Sequence, residues 1–429
     1  MQFIWQFQYF NKNELCTQNG ERLQVLVPGR YNFNQGPDFL DGRIIIDETT
    51  WAGTIELHVK TSDWSRHKHQ DDKNYNNVVL HVVWEDDESS TRAAGSSGNN
   101  DRKPSPDAPV LELQTRIPKI LLQRYDDLLQ STSFIPCEKS IGQVKDITWN
   151  SWKESLLAAR LMRKAVVVQN YLTQSNYHWE ETFWWILAKN FGMKVNGEGF
   201  EAIARSLPLT ILAKHKSQLL QLEALLLGQG GLLQQKFVDK YPKLLQREYT
   251  FLQRKYDLQP VPIPLHSLRM RPVNFPAVRL AELAMLVHNS AHLFSQIKEA
   301  ATPADIRRFF EVTANDYWHY HYHFDEASSF KPKKTGASMI DNIIINTVAP
   351  VLFAYGNYYG DNFYKVRAID CLEEVAAEKN SITERFHSLG IENRNARDSQ
   401  ALIELRNEFC DKKRCLECSV GDAILKQLA

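Results

Sequence analysis

The sequence predicts an α+β protein, with an N-terminal sheet domain followed by a large, mainly α-helical region. Up to about residue 117, short β-branched runs alternate with turn residues, which is the signature of strands. Beyond that point apolar residues recur at intervals of three and four, the period of a helix packed along one face. The length of 429 residues, 43% of them hydrophobic, supplies core for about two or three domains.

The runs RLQVLVPG, GRIIID, GTIELHVK, NVVLHVVWE and APVLELQTR are bounded by Gly, Pro, Asn or Asp and predict a sheet of about five strands. Between the last two runs, ESSTRAAGSSGNNDRKPSPDAP has no large apolar residue to bury and predicts a flexible insertion at 88–108 within a first domain of residues 1–130. Helices follow in PKILLQRYDDLLQ, SWKESLLAARLMRKAVVVQNYL, HWEETFWWILAKNF and SQLLQLEALLLG. The segment PVPIPLHSLRMRPVNFP at 260–276 cannot continue a helix, because each proline lacks an amide donor and restrains its predecessor. It is expected to divide a helical region of residues 131–260 from a second one of 261–429. In the latter, His319, His321 and His323 of YWHYHYHF read as a packing surface of rings rather than a metal site.

Lys plus Arg and Asp plus Glu balance at 51 each, which removes any bulk electrostatic pull toward nucleic acid or an acidic membrane and leaves partners to be argued site by site. The absence of a long uninterrupted apolar run and of a basic leader predicts a soluble, cytoplasmic protein with no membrane partner. Six cysteines in a chain of this length do not make a disulfide scaffold. Composition leaves the oligomeric state open.

The densest chemistry lies in the first domain. Asp38 follows Gly36 and Pro37 and leads into a strand, and Glu56, His58 and Lys60 alternate on the next, so a period of two puts the last three on one face. Brought together, Asp38 and Glu56 form a hard-oxygen site for Mg²⁺ or Mn²⁺, with His58 or Lys60 beside the water that such an ion holds. The same residues also suit a turn and an exposed ion pair. Of the nearby histidines, His67 and His69 read as solvated loop residues, the alternative being that they contact phosphate or extend the metal site, and His81 reads as a satisfied sheet residue.

This layout resembles the PD-(D/E)XK nuclease superfamily: Pro37-Asp38, then Glu56-Leu57-His58 on successive strands, with Glu14 or Glu21 as a further acid. His58 stands where that superfamily has lysine. The resemblance implies a restriction-endonuclease-like first domain and a metal-dependent nuclease, the alternative being an inactive nucleic-acid-binding or protein-interaction scaffold of the same fold. It also implies that Gln70 and Tyr75 hold substrate, although they are five apart rather than four. Over nearly its full length the chain further resembles the bacterial family of domain of unknown function 2851. The likeness lies in GPDF, GTIELHVKTSDWSRHKHQDDKNYNNVVLHVV, RPVNFP, INTVAP, DSQALIEL and CDKKRCLECSVG.

Cys410, Cys415 and Cys418 have the spacing C-x4-C-x2-C, three thiolates of an iron–sulfur run or of a zinc site, the alternative being reduced free thiols at a helix end. Their fourth partner is Cys137, Cys371 or Cys16, and resemblance to superfamily nucleases with one early and three late cysteines implies Cys137. A basic stretch with interleaved aromatics, Lys236 to Arg279, is the best candidate surface for a DNA or RNA partner, Arg269 and Arg271 foremost.

Overall fold

The computed structural model describes residues 1–426 apart from 33, 89–107 and 291. The insertion expected at 88–108 therefore lies almost wholly outside the described residues, as does the side chain of Gln70. The chain forms two compact units, Met1–Thr148 with Phe409–Ala429, and Trp149–Glu408. These limits differ from the expected ones at 130 and 260: the last twenty-one residues, with their cysteines, belong to the sheet unit. The proline-rich connector is internal to the helical unit.

The sheet of the first unit runs β1 (Leu23–Val27), β3 (Phe39–Ile46), β4 (Thr49–Lys60), β5 (Val78–Glu85) and β6 (Val110–Glu112), with β2 (Arg30–Tyr31) also on β3. The first pairings are antiparallel, whereas β4–β5 and β5–β6 are parallel. Five strands follow the expected runs, and β2 is too short to give a period. β4 starts earlier than GTIEL because Thr49 to Ala52 pair with Ile46 to Arg43 across a tight turn, in which Asp47 takes φ +54°.

Two features of this sheet position the site. A bulge between Phe39 and Gly42, with Asp41 at φ +59°, shifts register at the start of β3 and re-aims the residues before it. The parallel β4–β5 pair also needs a crossover, since parallel neighbours cannot be joined by a tight turn. Residues 61–77 make it through the short helix Asp63–Arg66 and the turns His69–Asp71 and Lys73–Tyr75. Around these, Ile55, Leu80, Val82 and Trp64 are buried.

The second unit is helical apart from the small ribbon His321–His323 with Glu326–Ala327. Its helices bury their apolar stripes, including Phe183, Phe191, Leu226, Leu280 and Ile306. Residues Ala337–Tyr359 are long and apolar enough by length and composition to cross a membrane, yet 72% of the most apolar window is buried within the fold, as in a core helix. Here His321 stacks on Tyr317 at 3.9 Å and His323 packs against Phe275 at 4.5 Å.

Candidate metal centre

Glu56 and His58 share a face of β4 with His81 of β5, because the parallel register sets Glu56 beside His81. The crossover roofs this face rather than leaving it to solvent, so Glu56 and His58 are only 5% and 6% exposed. Its short helix buries Trp64 beneath the imidazoles, 5.1 Å from His81 and 5.4 Å from His69 between ring centres. The turns that follow carry His67, exposed, and His69, half-buried.

One ligand atom each from His58, His67 and His69 lies within 4.8 Å of the others. His67 Nδ1 is 3.2 Å from His58 Nε2, and Glu56 Oε1 is 3.5 Å from His58 Nε2 and 3.6 Å from His69 Nε2. The far nitrogen of His58, Nδ1, meets His81 Nε2 at 2.8 Å. Tyr75 stacks on His69 with ring centres 3.9 Å apart.

Asp38 approaches from the start of β3. Its amide donates to Glu56 Oε2 at 3.0 Å, and its own Oδ2 accepts the Leu57 amide at 3.1 Å. Oδ1 accepts from Gln2 Nε2 at 3.1 Å. The N-terminal contribution is thus Gln2, and not the anticipated acids: Glu21 accepts from Thr17 and Glu14 is exposed. Lys60 ends β4 exposed and paired with Glu85 at 3.8 Å.

Burial sets the electrostatics. Desolvation, with the Asp38 charge second, pushes the Glu56 carboxyl up to about 8. Desolvation, with His69 and then His67, pushes His58 down to about 4, and His69 is lowered for related reasons. Burial, then the charges of Glu56, Asp72 and Asp38, raises the Tyr75 hydroxyl to about 12. Near neutral pH His58 is therefore an uncharged lone-pair donor. His67 and His69 were anticipated as loop residues, and neither spacing nor composition joins them to β4. The one local trace is a Trp-x-x-His-x-His run at 64–69, which marks these residues without placing them against β4.

A family model described as "Protein of unknown function (DUF2851)" matches residues 1–381. The chain belongs to this family. The DUF2851 match takes in every member of the histidine centre, while DSQALIEL and the late cysteines lie beyond it. No curated protein and no solved structure matches the chain. Two other segments of the likeness meet inside the helical unit, where Lys164 Nζ reaches Asn346 Oδ1 at 3.0 Å and Gln400 Oε1 at 3.4 Å. Burial, then Arg160, pushes that ammonium down to about 7.

The cysteines divide by unit. Cys16, Cys137, Cys410, Cys415 and Cys418 share the sheet unit, whereas Cys371 is buried in the helical one. Burial, then the proximity of Cys418 and Cys415, raises the Cys137 thiol to about 12. Of the basic stretch, the helix Lys240–Tyr256 turns Lys240, Lys243, Arg247, Arg254 and Lys255 outward. Arg269 and Arg271 are exposed on the connector. Arg279 leaves this surface, buried against Glu282 at 2.6 Å.

Proposed function

We propose that the sheet unit is a metal-dependent hydrolase of phosphodiester bonds in nucleic acid, DNA or RNA. The observation that carries this reading is the convergence of Asp38, Glu56 and His58 from adjacent strands on one face, beside two further imidazoles. In the reaction, water adds to phosphorus, one P–O ester bond breaks, and the departing oxygen takes up a proton, leaving a phosphomonoester and a hydroxyl end. Without metal, the buried Glu56 carboxyl keeps its proton up to about pH 8, and with an ion bound it would be deprotonated and would help to hold that ion. Asp38 fixes that carboxyl through its amide, and Tyr75 walls the imidazole side. The helical unit, considered by itself, exposes Lys243, Arg247, Arg254, Arg269 and Arg271, a basic surface suited to a phosphate backbone.

The fit of a metal follows from the donor chemistry. A hard ion such as Mg²⁺ takes oxygen ligands and keeps several waters. Here both oxygens of Asp38 and one of Glu56 already accept hydrogen bonds, and nitrogen supplies most of the remaining donors. A donor set of three imidazole nitrogens and one carboxylate oxygen favours a nitrogen-preferring ion over the Mg²⁺ expected of nuclease-like carboxylates.

The test is cleavage of labelled single-stranded, duplex and branched DNA and RNA, beside Asp38→Ala and Glu56→Ala. Loss of cleavage in both folded variants supports the hydrolase. Binding without cleavage makes the fold a nucleic-acid platform, and neither binding nor cleavage removes the reading.

A second proposal concerns Cys137, Cys410, Cys415 and Cys418, as a thiolate site for zinc or an iron–sulfur cluster that ties the last segment to the sheet unit. It is motivated by the C-x4-C-x2-C spacing and by Cys137 sharing the sheet unit with the other three cysteines, although among the described residues only His58, His67 and His69 bring their ligand atoms within 4.8 Å of one another. Such thiolates persist in a reducing compartment, which matches a cytoplasmic location. Visible absorption and metal analysis of anaerobically purified protein separate cluster from zinc, and metal-free protein under both treatments removes the proposal.

A further inference from the structure

Resting on the metal-dependent reading above, we infer that the centre binds a nitrogen-preferring divalent transition ion of the Zn²⁺ class, held by His58 Nε2, His67 Nδ1, His69 Nε2 and Glu56 Oε1. Zinc bonded to imidazole at about 2.0–2.1 Å in a tetrahedron requires donor-to-donor edges of about 3.3–3.4 Å. The edges between His58 and His67, Glu56 and His58, and Glu56 and His69 are 3.2, 3.5 and 3.6 Å. Three of the six edges are therefore close to the required length, and the imidazole ligand atoms all lie within 4.8 Å of one another.

The surroundings select this ion independently of the edges. A metal-binding imidazole needs a lone pair on the nitrogen facing the metal and a partner for its other nitrogen. His58 has that arrangement when Nδ1–H donates to His81 Nε2, 2.8 Å away, leaving Nε2 free to coordinate. Glu56 turns Oε1 toward the imidazoles, its Oε2 being held by the Asp38 amide. Three imidazoles with one carboxylate oxygen suit zinc and its neighbours, whereas carboxylate, carbonyl and water suit Mg²⁺. Because His67 is the exposed vertex, the ion is open to solvent there, where a fifth donor such as a phosphate oxygen can enter. Asp38 is a positioning residue in this scheme and not a ligand.

Co²⁺ is the probe, because tetrahedral Co²⁺ absorbs visibly far more strongly than octahedral Co²⁺. The spectrum of the full chain is read as the difference between wild type and His67→Ala, so that Co²⁺ held elsewhere, including at thiols, cancels. His67 is exposed, and its substitution leaves the core untouched. The expected result is one tetrahedral Co²⁺ per chain, displaced by stoichiometric Zn²⁺ but not by a roughly 1,000-fold excess of Mg²⁺. His81→Asn should weaken it about 10–100-fold, and His69→Ala, which removes a ligand, should weaken it more. No difference spectrum, or displacement by Mg²⁺, overturns the inference. Tetrahedral Co²⁺ on a protein that cuts no nucleic acid keeps the inference and removes the hydrolase. Mg²⁺-dependent cleavage without tetrahedral Co²⁺ does the reverse.

Discussion

Asp38 and Glu56 hold each other through the backbone: the Asp38 amide donates to Glu56 Oε2 at 3.0 Å, and the Leu57 amide beside Glu56 donates to Asp38 Oδ2 at 3.1 Å. This reciprocal pair joins the bulged start of β3 to the middle of β4 and decides which oxygen of Glu56 faces the imidazoles. It also places two carboxyl groups close together in a buried setting, so the geometry that aims Glu56 also raises its affinity for a proton.

That affinity predicts a pH dependence for metal-free protein. The Glu56 carboxyl is raised from 4.5 to about 8, so the folded state binds this proton more tightly than the unfolded chain. The resulting stabilisation is complete below about 4.5 and is lost as pH rises through about 8. His58 acts oppositely between about 4 and 6.5, and Lys164, lowered to about 7, also acts oppositely above that pH. The comparison is therefore between wild type and Glu56→Gln, by urea unfolding with chelator present. Between pH 6.5 and 8.5, wild type should lose about 1–3 kcal/mol relative to the variant. Parallel curves would remove the buried-carboxyl account. Zn²⁺ should abolish the loss, because a bound cation keeps the carboxylate charged without cost.

For Asp38 the informative comparison is Asp38→Asn with Asp38→Ala. Alanine leaves the Leu57 amide without its acceptor, which should cost about 1–3 kcal/mol of stability, while asparagine keeps an amide oxygen and should recover most of it. If Asp38 positions Glu56, cleavage should fall by about 10²-fold in Ala and be partly restored in Asn. Equal activity in wild type and Ala would show that the Asp38 carboxylate has no part in the reaction.

The pattern of β4 was legible because alternation is a local property: Glu56, His58 and the core residues Ile55 and Leu57 follow from a period of two. The antiparallel neighbours were legible for the same reason. His67 and His69 were not, since their approach to Glu56 depends on how a crossover lies over a sheet. Lys60 shares the alternation yet sits where the strand emerges, and Glu85 across the parallel pair takes its charge. The unit boundary was hidden because nothing local tells a C-terminal segment to fold back on the first domain. Arg279 reads as part of a basic stripe, but its helix is buried on nearly every side, so its charge requires Glu282.

This difference between Arg279 and its exposed neighbours gives a paired prediction. Glu282, desolvated and raised to about 7, would lose its partner in Arg279→Ala, which should destabilise the helical unit by about 3–5 kcal/mol. Lys243→Ala with Arg247→Ala should leave stability within about 0.5 kcal/mol. If that face meets nucleic acid, the double variant should instead lower the salt dependence of binding by about two phosphate contacts. Fluorescence-anisotropy titrations at several salt concentrations would check this, and an unchanged salt slope would remove the helix from the interface.

Gly421 tests how the last segment is held. A Cβ there would overlap the Cys415 carbonyl, so only glycine lets the helix Ser419–Lys426 close over the turn Cys415–Glu417. The Asp422 amide then reaches the Cys418 carbonyl at 2.8 Å, and the Asp422 side chain accepts from Tyr9. Because the obstacle is backbone, it cannot rotate away, and Gly421→Ala should cost about 1–3 kcal/mol. Gly142→Ala in the same unit meets open space and should change stability by no more than about 0.5 kcal/mol. Limited proteolysis should release the segment after residue 409 faster in Gly421→Ala than in either wild type or Gly142→Ala. If the four cysteines share a metal, the same variant should also lose that metal, because the turn carrying Cys415 and Cys418 would no longer close. Faster proteolysis with metal retained would separate the packing role of Gly421 from any thiolate site.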